Sequence, residues 1–165
     1  LIMGTFSKSF AAIGGFIAGS KTTINYIRHH ARSYIFSASC TPAATAAVGK
    51  SLEIMLREPE RVEALQEKTR YCLEKFRKLG FEIGHTSTPI IPLFVRDNEK
   101  TFRVTAELFH EGVFVNPVVA PAVAPEDTLI RFSLMATHTY EQLDTAIEKI
   151  TAVFRRLDIP LHPQA

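Results

Sequence analysis

Short apolar runs punctuated by glycine dominate the first forty residues, and apolar residues at helical spacing dominate the next forty. The opening reads as strand, loop, strand, helix, strand. Gly14-Gly15-Phe16-Ile17-Ala18-Gly19 has the form of a short buried strand bounded by glycines. Ser20 suits an N-cap, predicting a helix over 21–32, and Tyr34-Ile35-Phe36 predicts a further short strand within 33–39. Thr41 followed by Pro42 predicts a capped helix start, with the helix running to about Arg57 and breaking at Glu58-Pro59. Val62, Leu65, Thr69, Cys72, Leu73, Phe76 and Leu79 then recur every three or four residues, the buried stripe of a second helix. Gly80 is placed to end it in a left-handed conformation.

Beyond Phe81 strands and helices mix. Residues 90–95 read as a strand that Pro92 assigns to an edge or a bulge, since proline cannot donate to a ladder. A helix over 101–111 is closed by Gly112, and Val113 to Val115 form a short strand. Residues 128–135 alternate, with Ile130, Phe132 and Leu134 on one face and Arg131, Ser133 and Met135 on the other. Thr139 and Gln142 form a capping box before a helix that buries Leu143, Ile147, Ile150 and Phe154. The stretch Asn116 to Pro125 is apolar but carries three prolines, so it is expected to be irregular and to touch something. Two units follow: an α/β part over 1–57, and over 58–165 an α+β domain with a linking helix and a small antiparallel sheet covered by helices.

At 165 residues with 46% hydrophobic and 22% charged residues, the composition is that of a globular protein. A net charge of +2 gives no electrostatic case for nucleic acid or a membrane surface. No run approaches the roughly 20 apolar residues of a membrane span. Cys40 and Cys72 lie far apart with no metal spacing, which suits two reduced, buried thiols and a cytoplasmic setting. The histidines show no metal spacing either.

Lys8 in Gly4-Thr5-Phe6-Ser7-Lys8-Ser9-Phe10 is the strongest chemical signal. A lysine inside an apolar stretch and partly desolvated becomes a nucleophile able to form a Schiff base. Thr5 and Ser7 add hydroxyls suited to a phosphate. An amine beside phosphate-binding hydroxyls is what a pyridoxal 5′-phosphate (PLP) site requires. The run alone is also compatible with an exposed loop lysine.

Three ordered stretches, GTFSKSFAAIGGFIAGS, YIFSASCTPA and TLIRFSLMATHT, resemble motifs of the α-oxoamine synthases. These are PLP enzymes of aminotransferase fold type I. They include serine palmitoyltransferase, 8-amino-7-oxononanoate synthase, 2-amino-3-ketobutyrate CoA ligase and 5-aminolevulinate synthase, and the wording is most similar to the bacterial serine palmitoyltransferases. The resemblance implies that 1–57 continues a large PLP-binding domain and that 58–165 is the small C-terminal domain. Family members carry a long segment before the lysine motif, so the resemblance implies the C-terminal part of a longer enzyme, with little activity expected of these residues alone.

The resemblance further implies that Lys8 anchors PLP as a Schiff base and serves as acid and base. It implies that Thr5, and less clearly Ser7, bind the phosphate. Ser37 matches a hydroxyl that reaches the PLP phosphate of the neighbouring subunit, which implies a homodimer with a shared active site. Ala38 departs from the threonines common in this stretch and leaves Ser39 as another candidate. Arg131 matches the arginine that forks onto the amino acid's carboxylate. From its apolar neighbours alone, Arg131 is expected to need a carboxylate partner, from protein or substrate. His138 either shapes the site or packs locally where the last helix begins, and the proline-rich stretch 117–125 matches a mobile loop near the acyl-CoA entrance. The implied reaction is decarboxylative condensation of a small amino acid, with serine favoured over glycine or alanine, with an acyl-CoA. The competing readings are a non-catalytic dimerisation fragment and another fold type I enzyme such as an aminotransferase.

Overall fold

The computed structural model describes residues 1–162 of the chain. The chain divides into two compact units, Leu1–Pro59 and Glu60–Ala165.

In the first unit, β1 (Ile2–Thr5) and β2 (Gly15–Ala18) pair as an antiparallel hairpin, Ile2 opposite Ala18 and Thr5 opposite Gly15. Helix α1 (Lys21–His30) starts where Ser20 accepts the Thr23 amide and stops short of the expected residue 32, because Ala31 adopts extended geometry. The expected strand around Tyr34 is instead a single helical turn, α2 (Arg32–Ile35). The amides of Ile35 and Phe36 bond back to the carbonyls of Ala31 and Arg32, both at 3.0 Å. A three-residue apolar run carries no period that separates strand from helix. Helix α3 (Pro42–Arg57) begins as expected, with the Thr41 hydroxyl accepting from the Ala44 amide and Pro42 in the first turn. No residue of this unit is buried, so the 14–19 segment forms its strand but not the expected buried one. Leu1, Met3, Ile13 and Phe36 are all at least 75% exposed.

The second unit holds the core. Helix α4 (Glu60–Lys78) buries Thr69, Cys72, Leu73 and Phe76 and ends at Gly80, whose φ is 85°. Strand β3 (Ile90–Phe94) leads to α5 (Asn98–His110), which starts earlier than expected because the Asp97 carboxylate caps it by accepting the Lys100 amide at 2.7 Å. Gly112 turns at φ 83°, and the Val113 amide bonds the Leu108 carbonyl at 2.8 Å. Val113 is thereby used in closing the helix, and the expected strand at 113–115 moves on to β4 (Asn116–Val118). Regular structure thus enters the proline-rich stretch. Strand β5 (Leu129–Ser133) lies between β3 and β4, antiparallel to both, which places Pro92 on an edge strand. The capping box of Thr139 and Gln142 opens α6 (Tyr140–Arg156). Ile91, Leu93, Ile130 and Phe132 face the core, and the rings of Phe76 and Phe132 meet edge to face at 5.3 Å. Alternation leaves Arg131 and Ser133 on the open face.

Ion pairs tie this unit together, and two of their groups hold carboxylates with lowered pKa values. Arg96 bonds Glu82, Asp127 and the Glu126 carbonyl, and stacks 4.2 Å over the Phe94 ring. The Asp144 carboxylate accepts from Tyr71 and from Lys75, each at 2.6 Å, joining α6 to α4. The bond to Asp144 pushes Lys75 up to about 12, and burial pushes the Cys72 thiol up to about 12. Bonding to Arg96 lowers Glu82, and bonding to Lys75 lowers Asp144, from ordinary values of 4.5 and 3.8. Because both carboxyls titrate lower folded than unfolded, their contribution is complete above those ordinary values and is lost as the pH falls below them. Between about pH 5 and 3 the urea midpoint should therefore fall, and fall less in a Glu82→Gln, Asp144→Asn double variant. An equal fall in both proteins would show that other carboxyls govern acid unfolding.

Candidate functional site

Each unit carries candidate residues. Lys8 sits at the tip of the β1–β2 hairpin. The tip is built by three backbone bonds: Phe6 amide to Gly14 carbonyl at 2.9 Å, Ala12 amide to Phe6 carbonyl at 2.9 Å, and Ala11 amide to Lys8 carbonyl at 3.0 Å. Phe6 supports it from within, its ring 5.6 Å from Phe10 and 5.9 Å from Phe16. Lys8 is exposed in this unit rather than in the partly desolvated setting expected, because the unit buries none of its apolar residues. Its ammonium has no acid partner among the described residues.

Thr5 and Ser7 lie together: their hydroxyl oxygens are 2.9 Å apart, and the Ser7 amide bonds the Thr5 hydroxyl at 3.3 Å. The donor set fits PLP. An amine free of a competing carboxylate can reach an aldehyde, and two adjacent hydroxyls can serve a phosphate. Gly14 holds the hairpin's return at φ 110°, and a Cβ there would lie 2.7 Å from the Cys40 sulfur. The segment after α2 therefore packs on the lysine hairpin through Cys40. Cys72 is buried as expected, but Cys40 is exposed, because this unit buries no residue. Ser37, three residues earlier, donates its hydroxyl to the Ser33 carbonyl instead. Gly14→Ala is expected to destabilise the hairpin by about 1–3 kcal/mol, from the forbidden φ and the clash. The native protein should then release PLP more readily on dialysis, and undiminished retention would count against the hairpin as its seat.

In the second unit Arg131 projects from the open face of β5 into a cleft of about 930 Å³, the size of a small-molecule site. The cleft also takes in Asn116, Ser133, Met135 and His138. Of the two sources of a carboxylate partner expected for Arg131, the protein supplies none among the described residues. Its guanidinium donates instead to the side-chain carbonyl of Asn116 at 3.3 Å. Exposure on the outer face removes the burial cost that called for an acid. Lys149, the other cation lining the cleft, donates to the Glu111 carbonyl at 2.5 Å. His138 packs locally, its Nδ1 accepting the Met135 amide at 3.2 Å. Asn116 was not singled out by the sequence, where it is the first residue of a proline-rich stretch.

Residues 1–150 match the aminotransferase class I and II family. The chain belongs to that family. Within it, the chain is 63% identical over 159 residues to a serine palmitoyltransferase of Bacteroides thetaiotaomicron, an alignment covering 96% of this chain and 40% of that protein. It is 42% identical over 157 residues to an 8-amino-7-oxononanoate synthase of Bacillus pumilus, covering 95% and 40%. Among solved structures it is similar to a serine palmitoyltransferase variant from S. paucimobilis with a bound PLP–myriocin aldimine, with a TM-score of 0.86, 28% identity, and 96% and 40% of the two chains covered. The fold is thus that of part of a fold type I aminotransferase-family enzyme, and the chain spans about 40% of the length of the curated relatives it matches. Among the described residues, no helix is long and apolar enough to cross a membrane.

Proposed function

We propose that this chain is the lysine-bearing and carboxylate-binding part of a PLP-dependent acyltransferase. The enzyme condenses a small amino acid, serine before glycine or alanine, with an acyl-CoA, giving an amino ketone, CoA and CO2. The observation that carries the reading is the Lys8 hairpin, an acid-free amine beside two paired hydroxyls. The preference for serine rests on the higher identity to the serine palmitoyltransferase than to the 8-amino-7-oxononanoate synthase.

Bound here, PLP supplies the electron sink that acidifies the amino acid's Cα. Lys8 Nζ would hold the cofactor's aldehyde and would serve as the base for the α-proton, two roles that need an amine able to lose its own proton. An arginine stays charged and can do neither. Thr5 and Ser7 donate to the phosphate. Ser37 serves the neighbouring subunit's phosphate in a homodimer by turning its hydroxyl away from Ser33. Arg131 receives the amino acid's carboxylate, whose charge and planar shape match its fork. The proposed setting is the cytoplasm, where the free thiols of Cys40 and Cys72 stay reduced.

Incubating the full native protein with PLP, L-serine and palmitoyl-CoA tests the reading. Stoichiometric release of CoA and CO2 supports it, and a preference for glycine or alanine would correct the amino acid. Amino transfer to a 2-oxo acid without CoA release would replace the reaction, and PLP-free protein that only dimerises would replace the function.

A further inference from the structure

We infer that Asn116 is a positioning residue for Arg131, holding the guanidinium in place without neutralising it, so that its charge is kept for a substrate carboxylate. The inference rests on the carboxylate-binding role proposed for Arg131 and adds to it the residue that orients the fork.

The register puts Asn116 directly opposite Arg131 across the β4–β5 pair. The side chains of directly opposed residues are within reach of one another. Asn116 is half-buried, Arg131 is exposed, and Arg131 Nη2 lies 3.3 Å from Asn116 Oδ1. Arginine only donates, so the amide must turn its oxygen to the guanidinium, which fixes the amide's orientation as well as the arginine's. On the other side of Arg131 the register places Pro92, which has no amide hydrogen and offers no competing polar side chain.

The chemical identity of the partner is what matters. Two other arginines of this unit are tied to acids, Arg96 to Glu82 and Asp127 and Arg156 to Glu107 and Glu111. Arg131, lining the cleft, is held by an amide. An amide orients one N–H and leaves the positive charge and the remaining donors available. An aspartate of the same shape would take the bidentate place that a substrate carboxylate needs and cancel the charge that attracts it.

The test uses the PLP-loaded native protein and two ligands, L-serine and ethanolamine, which has serine's amine and hydroxyl but no carboxylate. Calorimetric titration reads both affinities in Asn116→Asp, Asn116→Ala and Arg131→Ala variants. Asn116→Asp is expected to weaken serine about tenfold or more, as a lost charge-assisted bond does, with ethanolamine unchanged. Asn116→Ala, which frees the arginine but leaves its charge, should weaken serine by a smaller factor, about threefold. Equal losses for serine and ethanolamine would show a merely structural residue and overturn the inference. So would unchanged serine affinity in both Asn116 variants while Arg131→Ala loses it. Unchanged serine affinity in Arg131→Ala would instead overturn the carboxylate assignment itself.

Discussion

Lys8→Ala in the native protein is expected to cut condensation turnover by about 10²–10⁴-fold, the range for losing a positioned acid or base, and to abolish covalent retention of PLP. The size follows from the two jobs given to one amine. Holding the cofactor and moving the α-proton both end with the side chain, and nothing nearby replaces it: the adjacent Thr5 and Ser7 hydroxyls are far weaker bases and are bonded to each other. Lys8→Arg should fare no better despite keeping the charge, because guanidinium does not lose its proton at working pH. Adding a small primary amine to the Lys8→Ala protein should restore part of the turnover, since a free amine can take the proton. Turnover of Lys8→Ala within tenfold of the parent would exclude Lys8 from the chemistry.

Phe154→Ala should have the largest effect on stability, about 3–5 kcal/mol, from the lost transfer of the ring and the cavity left behind. Phe154 is 1% exposed near the end of α6, and its ring meets that of Phe81 at 4.9 Å. Phe81 in turn stacks edge to face on Phe76 at 5.1 Å, so the ring joins α6 to the residues that follow α4. Against a typical domain stability of about 5–15 kcal/mol, such a loss leaves the second unit marginal. Hydrogen exchange of the α6 amides in the native protein is the measurement. Strong loss of protection across α6 is expected, and unchanged protection would mean that the core closes over the gap.

The elements read correctly from sequence are those set by local chemistry. Ser20, Thr41 and the Thr139–Gln142 box each mark a helix start, and Gly80 and Gly112 mark ends, because a hydroxyl or a missing Cβ acts within one turn. The α4 stripe and the β5 alternation were legible because each extends over enough residues to show its period. Tyr34 to Phe36 was too short to do so. Burial was less legible. The apolar residues of 1–59 look like core in sequence, yet none is buried in that unit, because burial depends on what packs against a face.

The same limit governs the candidate site. The Lys8 run was visible as a conjunction of amine and hydroxyls. The surroundings of Arg131 were misread from its apolar neighbours, although its alternation with Ile130 and Phe132 already put it on the opposite face. Asn116 could not be found without the strand register, since fifteen positions separate it from the arginine it holds.

Borohydride reduction of the PLP-treated native protein, followed by peptide mapping in a mass spectrometer, tests the central claim most directly. A pyridoxyl group on Lys8 is the predicted result. Label on another lysine would contradict the account by moving the cofactor's seat, and label on none would contradict it by leaving a chain with the family fold and no seat.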